Sequence, residues 1–329
     1  MMILSDVISQ TIIFAVPLLL VALGGMFSER SGIINIALEG IMIVGALFGC
    51  LALQLFNGAD QLCTIAPQMA VLIAILISAL SGAVFALLLA FASINLKADQ
   101  TIGGTALNML APAFAIVLTW SIQGQGQTTI LIPTWTRITE DALGLKSTGG
   151  FFGNLIFKSF YITTPIAFLI LILAIIVLYK TKFGLRLRSC GEHPQAADSV
   201  GINVYRMRYA GVFISGVLGG IGGLAYTIAA GSGFQSGVAG YGFLALAVMI
   251  FGNWNPIRIL GAALFFALFK IIGSYSYSIP FLPKFTGIKN ADYIYLMLPY
   301  IVTMIVLALT SKKSRAPKAE GIPYDKGAR

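Results

Sequence analysis

Polar side chains that interrupt long apolar runs are the residues of this sequence best placed to do chemistry. Asn35 and Glu39 stand four residues apart, so they share one face if their run is helical. If this run crosses a membrane, an ionisable group inside it usually faces a protein interior or a water-filled cavity. The pair could line or support the path of a polar molecule. It could equally make a structural hydrogen bond, or lie close enough to the headgroups for Glu39 to stay hydrated.

Three further polar residues bear on the same question. Asn108 lies at a similar depth in another apolar run, where its amide could bind a hydroxyl or a nucleobase, or join two helices. Asn35, Glu39 and Asn108 are therefore the candidates for a substrate pathway. Lys270 could extend outward to the membrane surface, and a bond to Glu39 is not expected because the two runs place them at different depths. His193 is the only histidine, and one histidine makes neither a zinc site nor a catalytic relay.

Motifs for catalysis, metal binding and nucleotide binding are absent from the sequence. It contains no nucleophile elbow, no P-loop and no metal-ligand spacing. Cys50, Cys63 and Cys190 are too few and too scattered for a disulfide framework. The chain is therefore expected not to be an enzyme, to hold no metal, and to bind no ATP or other cofactor by itself.

The segments that carry these residues are predicted to cross a membrane. Of 329 residues, 58% are hydrophobic and only 10% are charged, against about a quarter charged in soluble domains. We predict an all-α, polytopic integral membrane protein with about nine helices (eight to ten), because backbone in lipid must satisfy its own hydrogen bonds. The predicted segments are 8–27, 33–55, 67–92, 102–120, 161–179, 208–230, 236–252, 257–279 and 293–310. The seventh is the weakest, and it is predicted to be short or re-entrant.

The distribution of charge predicts the orientation. The net charge is +9, and the basic residues lie between the apolar spans. This placement favours a role in membrane orientation and argues against a nucleic-acid partner. Placing the basic loop 180–207 in the cytoplasm puts fifteen Lys and Arg residues inside and five outside. The polar insert 121–160 is then external. Residues 1–310 form one transmembrane domain, and the basic tail 311–329 is cytoplasmic and, by composition, disordered.

Small residues recur every four positions in the sixth segment. They are Gly211, Ser215, Gly219 and Gly223, which lie on one helical face. This spacing lets two helices approach closely in lipid, so we predict a packing face. The alternative is that glycine is simply common in membrane helices.

Three stretches together resemble a known family. They are FSERSGIINIALEGIMIVGALFG (27–49), GLRLRSCGEHPQAADSVGINV (184–204) and GYGFLALAVMIFGNWNPIRILGAALFFALF (240–269). In this order they resemble the permease subunits of bacterial ABC importers of the branched-chain amino acid and ribose type, nearest to the branch for nucleosides and simple sugars. The resemblance implies the ABC importer permease fold, in the inner (plasma) membrane of a bacterium. It also implies cytosolic ATPase subunits that bind ATP and magnesium, a second and related permease chain, and an extracellular substrate-binding lipoprotein.

The resemblance also implies a short cytoplasmic coupling helix that docks on the ATPase. The matching run is CGEHPQAADSVGI, in which Glu192 and Pro194 begin the helix, Ala196 and Ala197 form a small apolar face, and Gly201 ends it. Arg188 and Gly191 precede it and belong to the same coupling element. His193 departs from the family, where asparagine is more usual.

Two functions therefore remain open from sequence. The first is an ATP-driven importer permease for nucleosides or simple sugars. The alternative is a secondary transporter driven by an ion gradient, with Glu39 as the proton or cation site.

Overall fold

The protein is all-helical in the parts of the chain that the computed structural model describes, namely residues 2–58, 67–138, 161–275, 297–310 and 315–326. In chain order the helices are α1 (Met2–Arg30), α2 (Leu38–Gly58), α3 (Pro67–Ala90), α4 (Gln100–Gln123), α5 (Thr163–Lys180), α6 (Lys182–Glu192), α7 (Pro194–Ser199), α8 (Val204–Ala230), α9 (Tyr241–Phe251), α10 (Pro256–Ser274) and α11 (Leu298–Thr310). A π-helical turn, Phe91–Asn95, continues α3. The described residues also contain an isolated β-bridge between Ile130 and Phe234.

Seven of these helices are long and apolar enough to cross a membrane: α1, α2, α3, α4, α5, α8 and α10. The all-α, polytopic fold class is therefore confirmed. The other two of the nine predicted segments correspond to α9, which has 11 residues, and to α11, of which the described residues form 13. The start of the last predicted segment and residues 139–160 of the predicted external insert lie outside the described residues.

Side-chain caps set several helix boundaries. Asp99 accepts hydrogen bonds from the backbone of Thr101 and Ile102 at the start of α4. Asn203 and Asn255 cap α8 and α10 in the same way. These caps satisfy backbone N–H groups that have no partner within the first turn.

Helix α8 is the central element, and it packs against α1, α2 and α3. The four small residues predicted for its packing face lie against α1, α2 and the segment between them. A side chain at Gly223 would overlap the carbonyl oxygen of Met42, and one at Gly211 would lie 2.6 Å from Ser31. The small residues therefore let the backbones approach closely.

A second close approach on α8 involves glycines that the sequence reasoning did not single out. A side chain at Gly220 would overlap the carbonyl oxygen of Ser78 on α3. The Ser78 hydroxyl also donates a hydrogen bond of 2.6 Å to the Gly220 carbonyl. The signal in the sequence is the paired spacing GGIGG at 219–223, which gives small residues to two faces at once.

The part of the chain that contains α9 runs through the bundle in two sections, first an irregular one and then a helical one. The start of α8 and the end of α9 lie at the same end of the bundle, since Arg208 lies beside Gly32, and Trp254 binds Glu29 next to the end of α1. The chain therefore leaves along α8 and returns through the irregular residues 231–240 and then α9. Irregular backbone inside a membrane is tolerated where it is buried in protein or lines a water-filled cavity. The predicted short helix in the seventh segment corresponds to α9.

The described part of the tail is packed against the helices, which corrects the disorder expected from its composition. In residues 315–326, Ala319 and Tyr324 are buried. Ala319 N–H donates to the Gly191 carbonyl at 2.8 Å, and Arg208 donates to the Ile322 carbonyl at 3.0 Å. Lys97 and Asp325 form an ion pair of 2.8 Å. Average composition does not reveal these few contacts, because each depends on a single residue. We call residues 315–326 the tail strap.

Candidate functional site

The starts of α2 and α9 meet inside the bundle, and an irregular segment precedes each of them: residues 31–37 before α2 and residues 231–240 before α9. Glu39, in the first turn of α2, accepts hydrogen bonds from the backbone N–H groups of Gly240 at 2.8 Å and Gly242 at 2.6 Å. The carboxylate thus satisfies free donors at the positive end of α9, where negative charge is stabilised. Glu39 is only 8% exposed. Its carboxylate therefore serves as a structural cap for α9.

Asn108 of α4 performs a matching task for the start of α2. Its side-chain oxygen accepts a hydrogen bond from Gly40 N–H, and its amide donates to the Ile36 carbonyl, both at 2.8 Å. Gln100, also on α4, accepts from Ile34 N–H at 2.7 Å. Side chains of α4 therefore hold the irregular segment that leads into α2. Gln100 was not among the predicted site residues, although it lies beside the cap of α4.

Asn35 completes the network on the side of α8. Its amide donates a 2.8 Å hydrogen bond to the Ser215 hydroxyl, and the side chain is fully buried. Its side-chain oxygen has no hydrogen-bond partner among the described residues. The three pathway candidates Asn35, Glu39 and Asn108 thus all lie around the start of α2. Asn35 and Asn108 hold the irregular segment that leads into α2, and Glu39 caps α9.

An aromatic cluster surrounds Lys270 at the first turn of α9. The Lys270 ammonium lies 4.0 Å from the ring centre of Tyr241, 4.7 Å from that of Phe14 and 5.3 Å from that of Tyr226. Such contacts stabilise a cation that has left bulk water. Lys270 therefore points into the bundle, and the structure brings it to the same helical turn that Glu39 caps. Within the described ranges no ion pair joins Lys270 to Glu39.

The predicted coupling residues form two short helices, α6 and α7. Pro194 occupies the first position of α7, and Gly201 has a φ of +83° just beyond its end. Both positions suit these residues, because proline is preorganised for a first turn and glycine adopts positive φ without strain. A short, sharply bounded helix therefore begins at Pro194 and ends before Gly201. Glu192, which was expected to begin this helix together with Pro194, is instead the last residue of α6, because His193 separates the two helices.

The two alanines of α7 face in different directions, so they do not form the single apolar face that was expected. Ala197 is 3% exposed and packs with Cys190, Val204 and Tyr324, whereas Ala196 is exposed. The physical reason is that adjacent positions on a helix lie about 100° apart. The exposed apolar surface here instead consists of Ala196 on α7 and Val200, the residue that follows α7 and is 74% exposed.

The residues before α7 tie it to α1 and α5. Glu192 lies 3.9 Å from Arg30, and Arg188 lies over the ring of Tyr179. A side chain at Gly191 would overlap the Arg30 carbonyl, so this position requires glycine. The coupling element is therefore anchored to the membrane helices on one side and open on the other.

The tail strap adds a partly buried carboxyl group, that of Glu320, to this end of the molecule. Burial raises the pKa of Glu320 to about 7, although a hydrogen bond with the Glu29 side chain and the charge of Arg30 both lower it. The Glu29 carboxylate also accepts a hydrogen bond of 2.5 Å from the Trp254 indole. Two carboxyl groups and one guanidinium therefore meet where the strap crosses the end of α1.

We expect docking of the tail strap to weaken as pH rises. Because the folded-state pKa of Glu320 is raised, protonation stabilises the docked strap fully below about pH 4, and this stabilisation is lost as pH rises through about 7. From about pH 6 to about pH 8, opening should increase by up to about tenfold. Hydrogen exchange of residues 317–322, corrected for intrinsic rates, measures it. Glu320→Gln should remove the dependence and Asp325→Asn should retain it, and a pH dependence unchanged in Glu320→Gln would contradict the assignment.

Known proteins similar to this chain are permeases of ABC transporters. The family model for the branched-chain amino acid transport system permease component matches residues 7–307. The chain is 44% identical to the guanosine ABC transporter permease protein NupQ of Bacillus subtilis, over 99% of this chain and 98% of the relative. It is 43% identical to the nucleoside ABC transporter permease protein NupC of Lactococcus lactis subsp. cremoris, over 98% of each.

A second Lactococcus lactis protein, the nucleoside ABC transporter permease protein NupB, is 26% identical over 97% of this chain and 85% of its own length. No solved structure matches the chain. The match of the family model over almost the whole transmembrane region agrees with the helical, multi-span fold. The chain belongs to the family of permease components of branched-chain amino acid transport systems.

Proposed function

We propose that this chain is the permease subunit of an ABC importer that takes up nucleosides, energised by ATP hydrolysis in separate cytosolic subunits. The observation that carries the proposal is the identity of 43–44%, over nearly the full length, to two permeases named for guanosine and nucleoside transport. Simple sugars are the second substrate class, as the sequence resemblance implies.

The geometry around α9 favours an uncharged substrate. A helix that begins inside a membrane usually presents a positive end to an anionic group of the substrate. Here Glu39 already occupies that end through Gly240 and Gly242. A bound anion would meet the Glu39 carboxylate, whereas a neutral nucleoside would not. The aromatic rings of Tyr226 and Phe14 nearby suit a planar base.

The proposed partners follow from the same family. Cytosolic ATPase subunits would bind ATP and magnesium and dock on the exposed side of α7, while the chain itself would hold no cofactor. The two Lactococcus lactis relatives, at 43% and 26% identity, support a second permease chain that is related but different. An extracellular lipoprotein would deliver the substrate. Residues 1–310 would form one transmembrane domain in the bacterial inner membrane, with the C-terminus cytoplasmic.

The alternative of an ion-driven transporter requires Glu39 to bind and release a proton or cation. The structure disfavours this role, because both carboxylate oxygens accept backbone hydrogen bonds from the start of α9. Protonation of one oxygen would weaken its role as an acceptor for a donor that is partly or fully buried.

Guanosine uptake in cells with a collapsed proton gradient and maintained ATP separates the two mechanisms. We expect uptake to persist under these conditions, and to stop when the ATPase partner carries an inactivating substitution. Glu39→Gln retains one acceptor for α9, so residual uptake should remain independent of the proton gradient. Loss of uptake with the gradient, while ATP remains, would overturn the proposal in favour of secondary transport.

A further inference from the structure

A polar cavity of about 500 Å³ lies beside the coupling element, where α1 ends, α10 begins and the tail strap passes. Its lining includes Arg30, Glu192, Asn255, Arg258, Arg315 and Lys318. None of these side chains is needed for the path of a substrate through the bundle. The cavity is formed only because the strap is docked, since Arg315 and Lys318 belong to it.

The charge of the lining is strongly positive. Four of the side chains are arginine or lysine, and Glu192 is the one carboxylate in the lining. Glu192 lies 3.9 Å from Arg30. A single carboxylate carries one negative charge, so it balances one of these cations at most. Glu320 acts on Arg30 as well but does not line the cavity. The remaining cations therefore face an open space without a matching anion in its wall.

Two of the cationic positions are held in place by hydrogen bonds. Arg30 donates to the Trp254 carbonyl at 3.1 Å, and its Nε atom is buried without a hydrogen-bond partner in the described parts of the chain. The backbone N–H of Arg315 donates to the Asn253 side chain at 2.9 Å, which fixes the start of the strap. Such fixed donors lower the ordering cost of binding a ligand.

We propose that this cavity binds a phosphate group, either the headgroup phosphate of an anionic lipid or free phosphate. Guanidinium groups match phosphate oxygens in charge and in hydrogen-bond geometry. The cavity lies at the ends of two membrane-spanning helices, α1 and α10, which is the level of lipid headgroups. Basic pockets between helices at this level recognise anionic headgroups.

The test compares lipid and free-phosphate binding by the full-length chain in a neutral detergent. Native mass spectrometry measures phosphatidylglycerol against phosphatidylcholine, and calorimetry measures inorganic phosphate. The test variant Arg315→Gln with Lys318→Gln removes two exposed cations from the cavity wall. The control Lys182→Gln with Arg186→Gln removes two exposed cations of α6 that do not line it.

We expect the cavity variant to bind phosphatidylglycerol about thirtyfold more weakly, and the control to change little. If the cavity variant weakens the binding of inorganic phosphate as well, free phosphate is the ligand. If it weakens only the binding of phosphatidylglycerol, the lipid headgroup is the ligand. Arg258→Gln should weaken the same binding with the strap unchanged, so that a docking defect is distinguished from a lost contact. Equal losses in cavity and control variants would overturn the proposal, as would loss of ATPase association without any phosphate binding.

Discussion

Gly220→Ala is expected to destabilise the helix bundle strongly. A methyl group at this position would overlap the Ser78 carbonyl oxygen and lie 3.2 Å from the α-carbon of Gly82. Both atoms belong to the backbone, so neither can move aside as the end of a flexible side chain could. Forced overpacking costs about 3 kcal/mol. A clearly lowered unfolding temperature in detergent, with less protein in the membrane fraction, is the expected measurement.

Gly261→Ala is the matched control for this change. Gly261 also lies within a membrane-spanning helix, α10, but a methyl group there would meet no atom within 4 Å. Alanine is intrinsically the better helix former, so the unfolding temperature should stay the same or rise slightly. Equal destabilisation by the two substitutions would show that the close approach of α8 to α3 is not what requires glycine at 220.

Ala196→Trp is expected to abolish most ATP-driven uptake without lowering the stability of the permease. Ala196 is exposed on α7, beside the exposed Val200, so a larger side chain meets no atom of this chain's core. It would instead obstruct a partner that docks on α7. Disrupting an interface at a position of this kind costs about 2 kcal/mol or more of binding free energy, which corresponds to a loss of affinity of at least about thirtyfold. Guanosine uptake and the amount of co-purified ATPase should fall together.

Ala197→Leu provides the contrast within the same helix turn. Ala197 packs against Cys190, Val204 and Tyr324, so extra volume there should strain this small core and loosen the tail strap. We expect a lower unfolding temperature, and hence reduced uptake as a secondary effect. If Ala196→Trp lowered the unfolding temperature as much as Ala197→Leu, or left uptake intact, α7 would not be the docking surface.

The candidate site was only partly predictable from sequence. The spacing of Asn35 and Glu39 predicts a shared helical face, which is wrong, because Asn35 lies in the irregular segment before α2 and bonds to α8, whereas Glu39 caps α9. The partners of these side chains were not predictable, because Ser215 and Gly240 lie about two hundred residues away along the chain. A hydrogen bond between distant segments leaves no periodic trace in either of them.

The sequence by itself determined the fold class, because apolar runs of this length require helices that satisfy their own backbone in lipid. It also determined the small-residue face of α8 and the bounds of α7, since glycine spacing and Pro194 act locally. Only the tertiary structure decided that Glu39 caps α9, that Ala196 and Ala197 face apart, and that the strap is ordered. These three outcomes depend on which surfaces meet, and a charged tail becomes ordered once a few residues such as Ala319 find buried partners.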